Sequence, residues 1–311
     1  MSKLTVSVSP HIYSKTSTQT IMLDVIIALL PATVAGVVIF GIRSLAVIAV
    51  AVATAVLSEF LFNLICKREQ TISDLSAIVT GLLLALNLPA EIPLWQTAVG
   101  AVFGIIFVKC IFGGIGQNFA NPAITARVFM IISFSGTLIK VSSPVIVDTV
   151  SGATPLTVIE GISKGIVPSI KDLFFGVYGG TIGETCSIAL LLGFVYLMIR
   201  KVISWHTPVT YIATVFILAL VISGSFNTAL VHVLSGGLLI GAIFMATDYS
   251  TSPTSYLGKA VFGVGCGLIT VLIRFWGNFP EGVSFAILIM NIITPYIDKL
   301  TAKKHFGGVK K

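Results

Sequence analysis

The amino-acid sequence predicts an all-α polytopic membrane protein of about ten transmembrane helices, arranged as two inverted five-helix repeats. Three observations carry that prediction. The 311 residues are 56% hydrophobic and only 10% charged, apolar runs recur near membrane-spanning length, and short motifs repeat at offsets of 159 or 160 residues. Soluble domains carry about 25% charged residues, and a mean hydropathy of +1.03 lies well outside their range. In hydrocarbon every backbone N–H and C=O needs a partner within the protein, so spans are helices or closed barrels. Strand-like alternation is absent, which excludes an outer-membrane barrel.

Residues 1–20 are polar and include Lys3, His11 and Lys15. A secretory signal would place its short apolar run nearer the start, so this reads as a cytoplasmic segment before an uncleaved anchor helix. Spans at 21–40, 44–65, 74–88, 94–112 and 123–139 make a first repeat over 21–139. The third is short and ends at Asn87-Leu88-Pro89, so neighbouring helices must bury its end. A polar loop, 140–178, separates this half from spans at 179–199, 208–223, 229–246, 257–275 and 283–298. These form a second repeat, 179–298, before a basic cytoplasmic tail, 299–311.

An even number of spans places both termini on one side, and the basic residues choose it. With the termini inside, 14 of the 19 lysines and arginines are internal, and only Arg43, Lys140, Lys164, Lys171 and Arg274 are external. That asymmetry is the positive-inside pattern, and it puts the 140–178 loop outside. The net charge of +7 is therefore an orientation signal and a contact with anionic lipid, not a nucleic-acid footprint.

Gly81 to Pro93 has a counterpart of equal length in Gly241 to Pro253, 160 residues on. Ala101-Val-Phe-Gly104 recurs as Ala260-Val-Phe-Gly263, and Asn118-Phe119 as Asn278-Phe279. Five spans per half is an odd number, so the halves insert in opposite senses and sites form where helices break between them. The expected breaks are Asn87-Leu88-Pro89 near the outer face and Met245-Ala246-Thr247-Asp248 near the inner face. Gly113 to Pro122 lies inside and its counterpart, Gly277 to Gly282, outside. Two pseudo-equivalent pockets are expected, one near each face.

Ionisable groups at membrane depth face a protein interior or a water-filled cavity and are functional candidates by default. They are Asp24, Glu59, Lys109, Glu184 and Asp248. For Asp24 and Lys109, snorkelling or capping is a sufficient account. Glu184 stands between capping a helix start and a polar role. Asp248 closes a broken helix and reads as a binding residue. Arg127, beside the Asn121-Pro122 turn, fits either a ligand contact or snorkelling. His232 has no second ligand at metal spacing, so no metal is expected. Cys66, Cys110, Cys186 and Cys266 form no CxxC, excluding a thiol pair, haem attachment or cluster run. No βαβ unit with GxGxxG is present, so any NAD site belongs to partners.

The outer loop reads Asp148-Thr149-Val150-Ser151-Gly152-Ala153-Thr154-Pro155. It resembles the flavinylation motif D-x-x-[ST]-G-A-T, whose last threonine is esterified to FMN phosphate by a flavin transferase. Gly152 and Ala153 leave the approach open, and an ester keeps the cofactor on a surface facing bulk water. Ser9-Pro10-His11, Leu84 to Pro89, Gly113 to Pro122, Gly179 to Thr185 and Met245 to Asp248 extend the likeness over nearly the whole chain. Together they resemble the family of the Rnf D subunit, which is related to the B subunit of the sodium-translocating NADH:quinone reductase. The resemblance implies FMN bound covalently at Thr154, with Ser151, Gly152 and Ala153 around it and Asp148 recognised by the transferase. It also implies a second, non-covalent flavin (riboflavin or FMN) nearer the inside. Asn87, Asn121, Arg127, Glu184 and Asp248 are the candidates for holding flavin.

The implied function is a subunit of a redox-driven ion translocase in a bacterial or archaeal cytoplasmic membrane. Its partners would be the other Rnf subunits, the transferase and the lipid bilayer, with coupling to Na+ or H+ transport. The alternatives are an inverted-repeat secondary transporter without a redox cofactor and an anchor with a vestigial flavin site.

Overall fold

In a computed structural model the described residues are 16–138, 142–144, 154–159, 168–277 and 282–302. Most of residues 1–20, about half of the outer loop, the Asn278-Phe279 repeat and the tail from 303 lie outside them. Every described element is helical, apart from one isolated antiparallel bridge between Ser142 and Gly180.

Each of the ten expected spans holds a helix. α1 (Thr18–Phe40), α2 (Ile42–Ile65), α3 (Ser76–Leu86), α4 (Leu94–Cys110) and α5 (Pro122–Ser133) make the first half. Three short helices follow: α6 (Ser135–Leu138), α7 (Pro155–Ile159) and α8 (Ile170–Phe175). The second half holds α9 (Ser187–Ile199), α10 (His206–Ser223), α11 (Phe226–Leu234), α12 (Leu238–Met245), α13 (Tyr256–Trp276) and α14 (Val283–Thr301). α11 and α12 are one span bent by 60°. The span expected over 179–199 becomes helical only at Ser187, because the Glu184 carboxylate and the Ser187 hydroxyl bind other segments rather than a helix start.

Local chemistry sets the ends. Ser17 and Thr20 form a reciprocal capping box at the start of α1, and Gly41, at φ 77°, lets α2 follow after one residue. The Asn121 side-chain oxygen accepts the N–H groups of Ala123 and Ile124, with Pro122 at the first helical position of α5. The last turns of α4, from Gly104, and most of α12, from Gly241, are π-helical.

A shift of 160 residues carries α2 onto α10, α3 onto α12, α4 onto α13 and α5 onto α14, and the packing follows the same correspondence. α2 packs on α4 as α10 packs on α13, and α4 on α5 as α13 on α14. The halves join where α1 meets α9 and where α5 meets α14. The shortest spans lie at the centre: α3 is buried except at Ile78, and α12 is buried throughout. The long helices carry the exposed apolar residues, Val38, Ile65, Val221, Leu272 and Leu300 among them, which suit contact with lipid tails.

α1 and α9 approach closely because Gly193 has no side chain. A β-carbon there would fall 2.4 Å from the Ala28 carbonyl oxygen and 2.8 Å from the Phe244 ring. Gly193→Val is expected to destabilise the protein by about 1–3 kcal/mol through overpacking. Gly136→Ala, with nothing within 4 Å, is expected to leave stability unchanged. Thermal unfolding of the detergent-solubilised variants checks both.

Candidate functional site

α3 has 11 residues, a rise of about 16 Å, roughly half the hydrocarbon thickness. α12 is shorter still. Both therefore stop inside the protein, and their ends meet rather than lying near opposite faces as the sequence suggests. Asn87, closing α3, donates from Nδ2 to the Leu83 carbonyl at 2.7 Å and toward Met245 Sδ at 3.5 Å. Asn121 Nδ2 donates to the Met245 carbonyl at 3.3 Å. Arg127, one turn into α5 and buried, donates to Asn87 Oδ1 at 2.6 Å.

Glu184 completes this node, and not as a cap of α9, whose N-cap is Cys186. Its Oε1 accepts the Gly236 N–H at 2.5 Å and its Oε2 accepts the Thr181 hydroxyl at 3.0 Å. The turn between α11 and α12 needs two consecutive residues in the left-handed region, Gly236 (φ 71°) and Gly237 (φ 67°), which glycine alone adopts freely. A β-carbon on Gly237 would lie 3.5 Å from Arg127 Nη1 and 4.0 Å from Glu184 Oε2, so both charged groups face this turn. Asn87, Asn121, Arg127 and Glu184, far apart in sequence, thus converge where the helices break.

Arg274 carries the same turn and has no sequence motif to mark it. Buried on α13, its guanidinium donates to the carbonyls of His232, in the last turn of α11, and of Ser235 (3.3 Å) and Gly236 (3.2 Å) just past it. Tyr178 adds its hydroxyl to the Leu234 carbonyl at 3.3 Å. His232 is fully buried, with its ring 4.9 Å from that of Phe275. No group of three metal-ligating side chains occurs among the described residues, and the four cysteines are free.

Thr154 opens α7. It is buried, and its hydroxyl accepts the Thr157 N–H at 3.3 Å. Leu156, fully buried, rests on the α11–α12 turn: a β-carbon on Gly236 would meet its Cδ1. The threonine is thus anchored two residues from the turn that binds Glu184. Asp148, Ser151, Gly152 and Ala153 lie outside the described residues.

A pocket opens on the side that carries the first turns of α1. Ile21, Met22 and Val25 line it with Val79, Thr80, Leu83, Ile115, Asn118, Asn121, Phe244 and Asp248. About 750 Å³ of space lies between its walls, open solvent at its mouth included. The Asn118 side-chain oxygen lines it with no hydrogen-bond partner of its own. Asp248 is partly buried and accepts from Ser250 N–H, Ser250 Oγ and Thr251 Oγ1. Burial holds its carboxyl above the usual carboxylate range, and these bonds oppose the shift.

One residue of the pocket wall, Lys109, is held in a buried ion pair. Lys109, on the π-helical turn of α4, donates to both Glu59 oxygens at 2.8 Å and also to Ser76 Oγ. Lysine and glutamate are 2% and 1% exposed, so snorkelling does not describe Lys109. Thr71 donates to Glu59 Oε1 at 2.6 Å. Asp24 is likewise paired rather than capping, with Arg200 at 3.2 Å and the Tyr196 hydroxyl at 2.9 Å.

The family model described as the NQR2, RnfD, RnfE family matches residues 5–307. The chain is 45% identical to the D subunit of the Na(+)-translocating ferredoxin:NAD(+) oxidoreductase complex of Acetobacterium woodii, over 99% of this chain and 96% of that protein. It is 41% identical to the D subunit of the proton-translocating ferredoxin:NAD(+) oxidoreductase complex of Clostridium ljungdahlii, over 97% and 96%. With the D subunit of the ion-translocating oxidoreductase complex of Stutzerimonas stutzeri it shares 35% identity over 94% and 93%.

Lys109→Met strands the Glu59 carboxylate, a loss of about 3–5 kcal/mol for a broken buried pair. The double variant Lys109→Met/Glu59→Leu is expected to recover most of that stability, because no buried charge remains. Thermal unfolding of the two single variants and the double variant measures the coupling.

Proposed function

The chain belongs to the NQR2, RnfD, RnfE family, and from that premise we propose that it is the membrane-embedded D subunit of an ion-translocating ferredoxin:NAD+ oxidoreductase (Rnf) complex. Electrons pass through FMN esterified to Thr154 and through a second, non-covalent flavin, riboflavin or FMN, in the pocket beside Asn118 and Asn121. The observation that carries this reading is the continuity between the two places. Thr154 is anchored by Leu156 to the Gly236 turn, and that turn binds Glu184. Arg127 and Asn87 face the same node, and Asn121 joins it to the pocket through Met245.

The residues suit such a cofactor. Apolar walls from Val79, Leu83, Ile115 and Phe244 fit a planar heterocycle, and the unpaired Asn118 oxygen fits a ring N–H. Flavin, when bound, supplies electron transfer; the chain's own side chains bind it, orient it and limit water around it. Asn118 and Asn121 would meet the ring edge, while Thr80 and Asp248 offer polar contacts at the wall and mouth. Ferredoxin and NAD+ belong to the other subunits of the complex. A flavin transferase matures Thr154, and the protein lies in a cytoplasmic membrane with both termini inside and the Thr154 loop outside. Relatives are named for sodium and for proton translocation alike, so the family does not by itself select the ion.

With the transferase co-expressed, the denatured band of the purified protein is expected to fluoresce as flavin, and Thr154→Val is expected to abolish that signal. Acid extraction of the native protein should release a second flavin from wild type and variant alike. A dark wild-type band would sink the covalent assignment, and an empty extract the second site.

A further inference from the structure

The network around Lys109 reaches from the pocket to the protein surface. An ammonium has three protons to donate and no acceptor, and Lys109 uses two on Glu59 and the third on Ser76 Oγ. Ser76 Oγ in turn donates its proton to Asp74 Oδ1, which also accepts the Ser76 N–H at 2.8 Å. Asp74 ends a single 3-10 turn, Ile72–Asp74, and is only partly buried, whereas Ser76 and Lys109 are buried and line the pocket. An unbroken run of hydrogen bonds therefore joins a solvent-accessible carboxylate to a cation on the pocket wall.

We infer that Asp74, Ser76 and Lys109 form a proton-delivery path that supplies the pocket when the cofactor there is reduced. The inference rests on the reading of that pocket as a flavin site. In the transfer, Lys109 would turn the Nζ–H that it gives to Ser76 toward the pocket and release that proton there. Asp74 takes a proton from hydronium in the solvent, and Ser76 passes its own hydroxyl proton to the Lys109 nitrogen as it takes that proton from Asp74. One proton moves from solvent to pocket for each cycle, and the three residues end as they began. Glu59 drives the return: a neutral Lys109 leaves that carboxylate buried without its cation, a state that is strongly disfavoured. The other titratable groups facing the path are Glu59 itself, Arg68 and Cys110 beside Lys109, and Asp248 and Tyr249 across the pocket.

Ser76→Ala removes the relay oxygen and leaves the Lys109–Glu59 pair in place. In the purified complex, with extractable flavin counted, proton uptake upon flavin reduction is followed by stopped flow with a pH-sensitive dye. Ser76→Ala is expected to retain its flavin and to slow uptake by about a hundredfold, with Ser76→Thr restoring the rate. Flavin-loaded Ser76→Ala taking up protons at the wild-type rate would overturn the path and leave the flavin site standing. A wild-type complex with no extractable flavin overturns both. If Ser76→Ala does not assemble, Asp74→Asn reads the same step: slowed uptake supports the path, and an unchanged rate overturns it.

Discussion

Two helices that stop halfway across a membrane leave backbone donors and acceptors in a place without water, and those groups must find partners within the protein. The rest of the structure follows from that constraint. Asn87 turns back onto the Leu83 carbonyl, Asn121 takes the Met245 carbonyl, Arg274 gathers the carbonyls just past α11, and Glu184 accepts the Gly236 N–H. Each of these side chains is buried, and each needs its own polar partner there. The result is a polar centre enclosed by α3 and α12, around which the long helices present apolar surface outward. The two places proposed for flavin lie at opposite ends of this centre.

Much of the architecture was legible in the sequence because membrane solvation leaves few options. Ten apolar runs gave ten helical segments, and the 160-residue offset that aligns Gly81 to Pro93 with Gly241 to Pro253 also aligns α3 with α12. Asn87, Asn121, Arg127 and Glu184 stand out as polar residues at expected breaks. Their meeting does not, because it depends on how deep each short helix reaches. Breaks are expected at opposite faces when every span is counted as crossing; an 11-residue α3 instead ends inside. Glu184 resembles a helix cap because Gly-rich turns often precede helices, yet its carboxylate serves a turn 52 residues away.

Pairings were the least legible part. Glu59 and Lys109 are 50 residues apart, and nothing local in either helix specifies the other. Arg274 resembles an ordinary basic residue near a helix end, where contact with headgroups would be a sufficient account. Ser76 and Asp74 carry no motif. Only packing shows that α2, α3 and α4 bring this set to one wall, and that the π-helical turn of α4 carries Lys109 into it. The run proposed for flavinylation at Thr154 is the converse case, a resemblance carried wholly by local sequence.

The exchange of partners across the two halves also bears on how the chain is made. Asn121 and Arg127 belong to the first half, yet Asn121 binds Met245 and Arg127 faces the Gly237 turn, both in the second. Synthesis runs from the N-terminus, so α5 enters the bilayer more than 100 residues before these partners exist. During that interval the Asn121 amide lacks its Met245 acceptor, and water or the insertion machinery must satisfy it. The polar centre of the first five helices is thus completed only by a segment made later, α12.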